Sequence, residues 1–336
     1  MKDEILSIIQ KKFPLTKRPF LDISKELDLS EDEVIDIIQK EKDNNIIRQT
    51  SAIFDTKSLG FKSSLVAFKI VPEKIDKAVL ILNSHPGISH NYERDHEFNI
   101  WFTIAVDPDT KLGLEKSVEI LAKLTEAEDF IMLPTLKLFK ISVKLNTTGK
   151  DAKKEKVKKS VKKDITLTKL HLDIIKLIQE DIEVTKEPFA NIIKTLDIDY
   201  ETLFSKLEEL KDAGVMRRFA AILNHRKAGF NANAMTVWDV DEKDGEAIGE
   251  TAAAFSAVSH CYLRPKYPNW PYNLFTMIHG KTKEETDGII ADIANEIEHK
   301  SKRPLYSTRE FKKVRLKYFT PDFEEWENKH LKDLHG

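Results

Sequence analysis

Gly60-Phe61 and Gly229-Phe230 stand 169 positions apart, the difference between 229 and 60, and the same offset carries Pro19-Phe20 onto Pro188-Phe189, Leu27-Asp28 onto Leu196-Asp197 and Arg48 onto Arg217. A gapless match over such a distance marks a duplicated unit, so the chain must build one architecture twice. Between the copies, Asn146 to Asp164 carries Lys150, Lys153, Lys154, Lys156, Lys158, Lys159, Lys162 and Lys163 and no aromatic residue. That composition predicts a solvated linker.

Each copy opens with three short helical patterns. The third begins at Ser30 with Glu33 three residues later, the signature of a capping box, and continues through Val34, Ile35, Ile37 and Ile38. Ile46-Ile47 and Ala52-Ile53-Phe54 then read as the strands of a wing, and the second copy repeats the scheme with Tyr200 to Asp212, Val215-Met216 and Ala221-Ile222-Leu223. Beyond each Gly-Phe pair come a strand (Leu65 to Val71, Ala234 to Val240), a helix, a polar strand and a further strand (Ile100 to Val106, Leu274 to Ile278). A helix (Leu114 to Leu124, Glu284 to Glu298) and a final extended segment complete each copy. The order βαββαβ predicts a ferredoxin-like sheet with helices on one face. The fold class is α+β, two tandem units each made of a winged helix-turn-helix and a ferredoxin-like domain, which resembles the Lrp/AsnC architecture. Expected boundaries are 1–60 and 61–145 for the first copy, 146–164 for the linker, 165–229 and 230–320 for the second copy, and 321–336 for a C-terminal tail.

A helix-turn-helix normally sends its third helix into the DNA major groove amid dense phosphate charge. Here that helix has the wrong sign. From Ser30 to Asp43, Glu31, Asp32, Glu33, Asp36, Glu41 and Asp43 face only Lys40 and Lys42. From Asp199 to Asp212, Asp199, Glu201, Glu208, Glu209 and Asp212 face Lys206 and Lys211. Together with a net charge of −2, this argues against nucleic acid as a partner and for modules retained as packing elements. Arg48, Arg217 and Arg218 sit at the wing base, in reach of a sheet on this reading. No apolar run approaches the roughly 20 residues of a membrane span, and the acidic start Met1-Lys2-Asp3-Glu4 is unlike a secretory signal, so the expected location is the cytoplasm without membrane attachment.

The chemistry concentrates in two related strings, Ser89-His90-Asn91-Tyr92-Glu93-Arg94 and Ser259-His260-Cys261-Tyr262-Leu263-Arg264. In a strand, His, Tyr and Arg at alternate positions project from one face. A lone strand histidine is more often structural than functional, but recurrence of all three types in the same phase in both copies is not something a solvated face requires. His96 extends the first series, while Pro265 ends the second and leads through Lys266-Tyr267-Pro268-Asn269-Trp270-Pro271. His85, before a proline turn, reads as structural, and His171, His225, His299, His330 and His335 lack a repeated context. The lone Cys261 falls on the face opposite His260 and Tyr262, which disfavours it as a nucleophile. No compact metal-ligand set recurs, and Arg94 or Arg264 would repel a metal ion. A large, flat, multiply anionic ligand suits the groups better: arginines hold carboxylates, aromatic rings stack on a macrocycle, and a neutral imidazole ligates iron.

At these residues the chain resembles the siroheme decarboxylases, Lrp/AsnC-like proteins that occur as paired subunits or as their fusion. The first copy carries the likeness through His90 to Arg94 and Asp95-His96-Glu97-Phe98-Asn99-Ile100-Trp101-Phe102-Thr103, the second through Ser259 to Pro265, Trp270-Pro271-Tyr272-Asn273-Leu274-Phe275-Thr276-Met277 and His279-Gly280. The resemblance implies loss of two acetate carboxyl groups from siroheme to give 12,18-didecarboxysiroheme, on a route to haem b or haem d1, with no added cofactor and no intrinsic metal. It implies an internal pseudo-dimer of the two copies, with further homodimerisation open. Read with this resemblance, the His/Tyr/Arg face gives His90, Tyr92, His96, His260, Tyr262 and His279 as candidate catalytic residues, with His90 or His260 as the alternative of an axial ligand to the siroheme iron. As substrate-binding residues it points to Arg48, Arg94, Asn99, Trp101, Arg217, Arg218, Arg264, Trp270, Tyr272 and Asn273. The alternative is a tetrapyrrole-sensing regulator or carrier that binds the same ligand without turnover.

Overall fold

The computed structural model describes residues 1–141, 164–224 and 232–331; the expected linker, apart from Asp164, lies outside them, as do Gly229-Phe230, His225 and His335. The first copy runs α1 (Lys2–Lys11), α2 (Pro19–Leu27), α3 (Glu31–Asp43), β1 (Ile47–Phe54), β2 (Lys62–Lys69), α4 (Ile75–Ser84), β3 (Ile88–Arg94), β4 (Ile100–Val106), α5 (Gly113–Thr125), β5 (Asp129–Leu133) and β6 (Lys137–Ile141). The second runs α6 (Lys169–Ile178), α7 (Ala190–Leu196), α8 (Tyr200–Asp212), β7 (Met216–Leu223), β8 (Ala232–Asp239), α9 (Gly245–Ala254), β9 (Val258–Leu263), β10 (Leu274–Gly280), α10 (Lys283–Glu296) and β11 (Ser301–Lys313), followed by α11 (Asp322–His330).

The described residues of Met1–Phe61, Lys159–His225 and Lys317–Pro321 form one compact unit, which holds both helix-turn-helix modules. The Ser30 hydroxyl accepts from the Glu33 N–H at 3.2 Å while the Glu33 carboxylate accepts from the Ser30 N–H at 2.8 Å, so the capping box starts α3. The repeated Leu-Asp pairs have a backbone reason: Asp28 and Asp197 close α2 and α7 in the left-handed region, at φ of 55° and 52°, which a short polar side chain tolerates. The two-stranded wing of the sequence reading is corrected. Each copy contributes one strand, and β1 pairs antiparallel with β7, Thr50 opposite Ala221 and Ala52 opposite Phe219. A single strand leaves its backbone groups unpaired, and its duplicate supplies the missing ladder. Two acids at the start of α3 serve internal docking. Glu31 pairs with Arg18, and Asp32 lies 2.9 Å from Lys186 of the other module.

The described residues of Lys62–Lys158, Arg226–Leu316 and Asp322–Gly336 form the second unit. Its nine-stranded sheet has the order β5-β2-β4-β3-β11-β8-β10-β9-β6. Each copy thus builds a ferredoxin-like sheet and lends its last strand to the other: β11 joins β3 of the first copy, and β6 joins β9 of the second. On one face Val66, Phe68, Phe102 and Ile104 pack under α4 and α5, and Ala234, Trp238, Val258 and Ile278 pack under α9 and α10. The opposite faces share a third core, in which Ala67, Trp101, Ile131 and Leu133 meet Val237, Trp270, Phe275 and Leu305. The C-terminal segment, expected as a tail, forms α11 and buries Trp326 in the first copy's helix-side core.

Candidate active site

The two polar strings form β3 and β9, and a bulge at the same place in each changes which side chains share a face. On β3 the register steps from Ile88 opposite Ile104 to His90 opposite Thr103, and on β9 from Val258 opposite Ile278 to His260 opposite Met277. The extra residue is Ser89 in one copy and Ser259 in the other. Strict alternation would send each serine to the helix side, but the bulge brings its hydroxyl round to the imidazole beside it. Ser89 Oγ lies 2.9 Å from His90 Nδ1 and 2.9 Å from Thr103 Oγ1. Ser259 Oγ lies 2.8 Å from His260 Nδ1.

The copies then diverge. Ser259 Oγ also meets His279 Nε2 at 2.6 Å, and His279 Nδ1 meets Asn233 Oδ1 at 2.7 Å. A continuous row Asn233–His279–Ser259–His260 results. In the first copy the register places Ala105 where His279 stands, and Thr103 takes the serine contact instead. Burial pushes His279 down to about 4, helped by the charge of His260 and Lys313, and burial likewise lowers His260 from its ordinary value. Both rings are therefore neutral near pH 7. Asn233 Oδ1 only accepts, so a neutral His279 carries its proton on Nδ1 and accepts from Ser259 at Nε2. Ser259 Oγ then accepts from His260 Nδ1, which leaves His260 Nε2 with its lone pair.

Along each strand the imidazole stacks on the next tyrosine, His90 on Tyr92 with centroids 6.3 Å apart and His260 on Tyr262 at 6.2 Å. An arginine underlies each phenol, Arg94 at 5.5 Å from the Tyr92 ring and Arg264 at 4.8 Å from that of Tyr262. Both arginines are buried and cross between copies: Arg94 Nη1 donates to Leu305 O at 2.7 Å, and Arg264 Nη1 to Leu133 O. Burial pushes each guanidinium down to about 10. Held by carbonyls and a ring rather than a carboxylate, each leaves its Nε without an acceptor among the described residues, a positive potential beneath the tyrosine that favours an anionic ligand.

Other expected site residues sit elsewhere. His96 is not on the strand, which ends at Arg94; its Nδ1 accepts from the Phe98 N–H at 3.0 Å and its ring meets Trp270 edge-on at 5.3 Å. Trp101 and Trp270 are fully buried and 5.2 Å apart, inside the core shared by the copies, with Tyr272 5.1 Å from Trp270. The amides of Asn99 and Asn273 both clamp backbone, Asn99 on Ile70 and Asn273 on Val240, each by one donated and one accepted bond. Their geometry is that of scaffold rather than the ligand contact expected. Arg48, Arg217 and Arg218 are exposed, and Arg217 Nη2 pairs with Asp55 at 2.5 Å. Cys261 lies on the helix side, its thiol pushed up to about 12 by burial. His85 is buried against Trp326 and accepts from the Gly87 N–H at 3.0 Å.

Comparison with known proteins matches the chain over most of its length. The AsnC-like ligand binding domain matches residues 58–140 and 227–312, and the siroheme decarboxylase NirDL-like HTH domain matches 2–48 and 172–217. A siroheme decarboxylase of Hydrogenobacter thermophilus is 41% identical over 96% of both chains. The chain belongs to the siroheme decarboxylase family. A siroheme decarboxylase beta subunit of Methanosarcina barkeri is 40% identical over 44% of this chain and 97% of its own, so the family also includes proteins about the size of one copy. The crystal structure of the siroheme decarboxylase NirDL in complex with an iron-uroporphyrin III analogue matches with a TM-score of 0.81 and 36% identity, covering 99% of each chain. Ser89 and Ser259, absent from the expected site, were marked by their own recurrence, but the bulge that brings them to the imidazoles has no signature in one sequence.

Proposed function

We infer that the protein is a siroheme decarboxylase. The observation that carries this reading is likeness to a siroheme decarboxylase along 96% of both chains, and the paired His–Tyr–Arg columns supply chemistry that fits it. Loss of carbon dioxide from a ring-borne acetate leaves an electron pair on the exocyclic carbon, delocalised into the macrocycle, and that carbon must be protonated to a methyl group. The reaction class is that of a carboxy-lyase, and two such losses give 12,18-didecarboxysiroheme.

In this proposal His260 Nε2 takes up a proton and passes it to the exocyclic carbon. As His260 becomes cationic, its Nδ1–H stays on Ser259 Oγ, and the serine proton stays on His279 Nε2, which spreads the charge along the row. Tyr262 orients the imidazole by stacking, and the buried Arg264 attracts the carboxylates that remain. The first copy has His90, Tyr92 and Arg94 but lacks the second imidazole, so it supports the site while the second copy carries the proton transfer. The acidic third helices favour turnover over regulation of DNA. Anaerobic incubation of the protein with siroheme, followed by mass spectrometry of the tetrapyrrole, is expected to show two successive losses of carbon dioxide. An unchanged mass with a shifted absorbance band would establish a carrier or sensor instead.

A further inference from the structure

The copies agree closely in how the borrowed strand meets its host, and differ in what that strand presents. Opposite β9, Leu138 pairs with Tyr262, Lys140 with Cys261 and Ile141 with His260, the bulge falling at Phe139. Opposite β3, Glu310 pairs with Tyr92, Lys312 with Asn91 and Lys313 with His90, the bulge falling at Phe311. The helix-side residues correspond in detail. Phe139 and Phe311 each pack against a helix-side core, while Lys140 Nζ donates to Phe255 O at 2.8 Å and Lys312 Nζ to Asn83 O at 2.7 Å. Directly opposed residues share a face, so Leu138 and Ile141 flank Tyr262 and His260, where Glu310 and Lys313 flank Tyr92 and His90.

Leu138 and Ile141 keep 44% and 42% of their surface exposed, costly for aliphatic side chains unless something apolar covers them. Glu310 and Lys313, 4.0 Å apart, are instead suited to water. We propose that Leu138 and Ile141 form an apolar wall for the tetrapyrrole ring at the His260–Tyr262 column, which makes the second copy's column the seat of the macrocycle and the first copy's strand part of that seat. The inference rests on the siroheme reading and refines it: the carboxylates lie toward the buried arginine, and the ring lies on the aliphatic pair. A wall of opposite character excludes the ring from the first column in the same pose.

Exchange of wall residues between the two columns tests this. Siroheme titration followed by absorbance is expected to show L138E/I141K binding at least about tenfold more weakly than the unaltered protein, from lost apolar contact and added charge. E310L is expected to stay within about twofold. L138Q/I141Q, a milder pair, serves if the charged variant fails to fold by circular dichroism, and is expected to weaken binding in the same direction. Binding within twofold by a folded wall variant, or a loss in E310L as large as in the wall variant, overturns the proposal. Failure of the unaltered protein to bind siroheme would instead overturn the function itself, so the two failures read differently.

Discussion

Ser259 touches two imidazoles at once, and removal of one oxygen separates them. With alanine there, His260 Nδ1 loses the acceptor that fixes its tautomer and His279 Nε2 loses its donor, while the stack on Tyr262 stays in place. Positioned proton transfer contributes about 10²–10⁴-fold, and Ser259 only positions. S259A is therefore expected to lower kcat about 10- to 100-fold with siroheme affinity within about twofold, and S259T, which retains the hydroxyl, to recover most of the loss. Single-turnover decarboxylation alongside binding titration separates the two effects; equal kcat for S259A would remove the row from the mechanism. S89A, which breaks only a Thr103 and a His90 contact, should fall less than S259A in the same assay. The pH profile carries a sign. His260 is lowered by burial and must be protonated to act, so kcat should decline as pH rises above that lowered value, and the decline should vanish in H260Q. The His–Tyr–Arg alternation was legible because period two is written into the residues. The serines were visible as a repeat but not as neighbours of imidazoles, since only the backbone bulge reverses their side.

At the scale of elements, the C-terminal helix does work that its composition conceals. Glu327 on α11 accepts from the Leu112 N–H at 3.1 Å, the Lys111 N–H at 3.2 Å and the Thr110 hydroxyl, and so caps the start of α5, whose own N-cap residue makes no side-chain bond. E327A leaves those donors unmatched, and urea denaturation should show a loss of about 1–3 kcal/mol. The same helix seals His85, whose ring lies 4.3 Å from Trp326 and which burial pushes down to about 3. A histidine whose folded value lies below its unfolded one of about 6.5 binds more protons unfolded, so it costs nothing above that pH and destabilises as pH falls from there toward 3. The melting temperature should drop across that window, and H85N should flatten the drop. Hydrophobic period and turn residues made the βαββαβ order readable. The wing and the C-terminal helix differ from the sequence expectation for one reason: a single strand or a short amphipathic helix states what it needs to pair with, not which copy supplies it.

Across the whole molecule, duplication and fusion turn on exchanged strands. β11 covers the β3 edge of the first copy, β6 covers the β9 edge of the second, and among the described residues β1 has β7 as its one ladder partner. A copy on its own would expose β3 or β9, the very strands that hold the histidines, as open edges, and would leave β6, or the C-terminal half of β11 beyond its pairing with β8, without a host. Arg94 and Arg264 make the dependence reciprocal, because each donates to a carbonyl of the other copy. Residues 1–145 and 164–336 expressed apart are therefore expected to aggregate, and coexpressed to form a one-to-one complex that decarboxylates siroheme, with elution volume and tetrapyrrole mass as the measurements. Either piece running alone as a folded monomer would show that exchange follows folding rather than completing it. The family already contains proteins the length of one copy, and the strand order here shows what one copy lacks: a last strand from elsewhere to cover its edge. Carrying both copies on one chain raises the effective concentration of that strand at its edge.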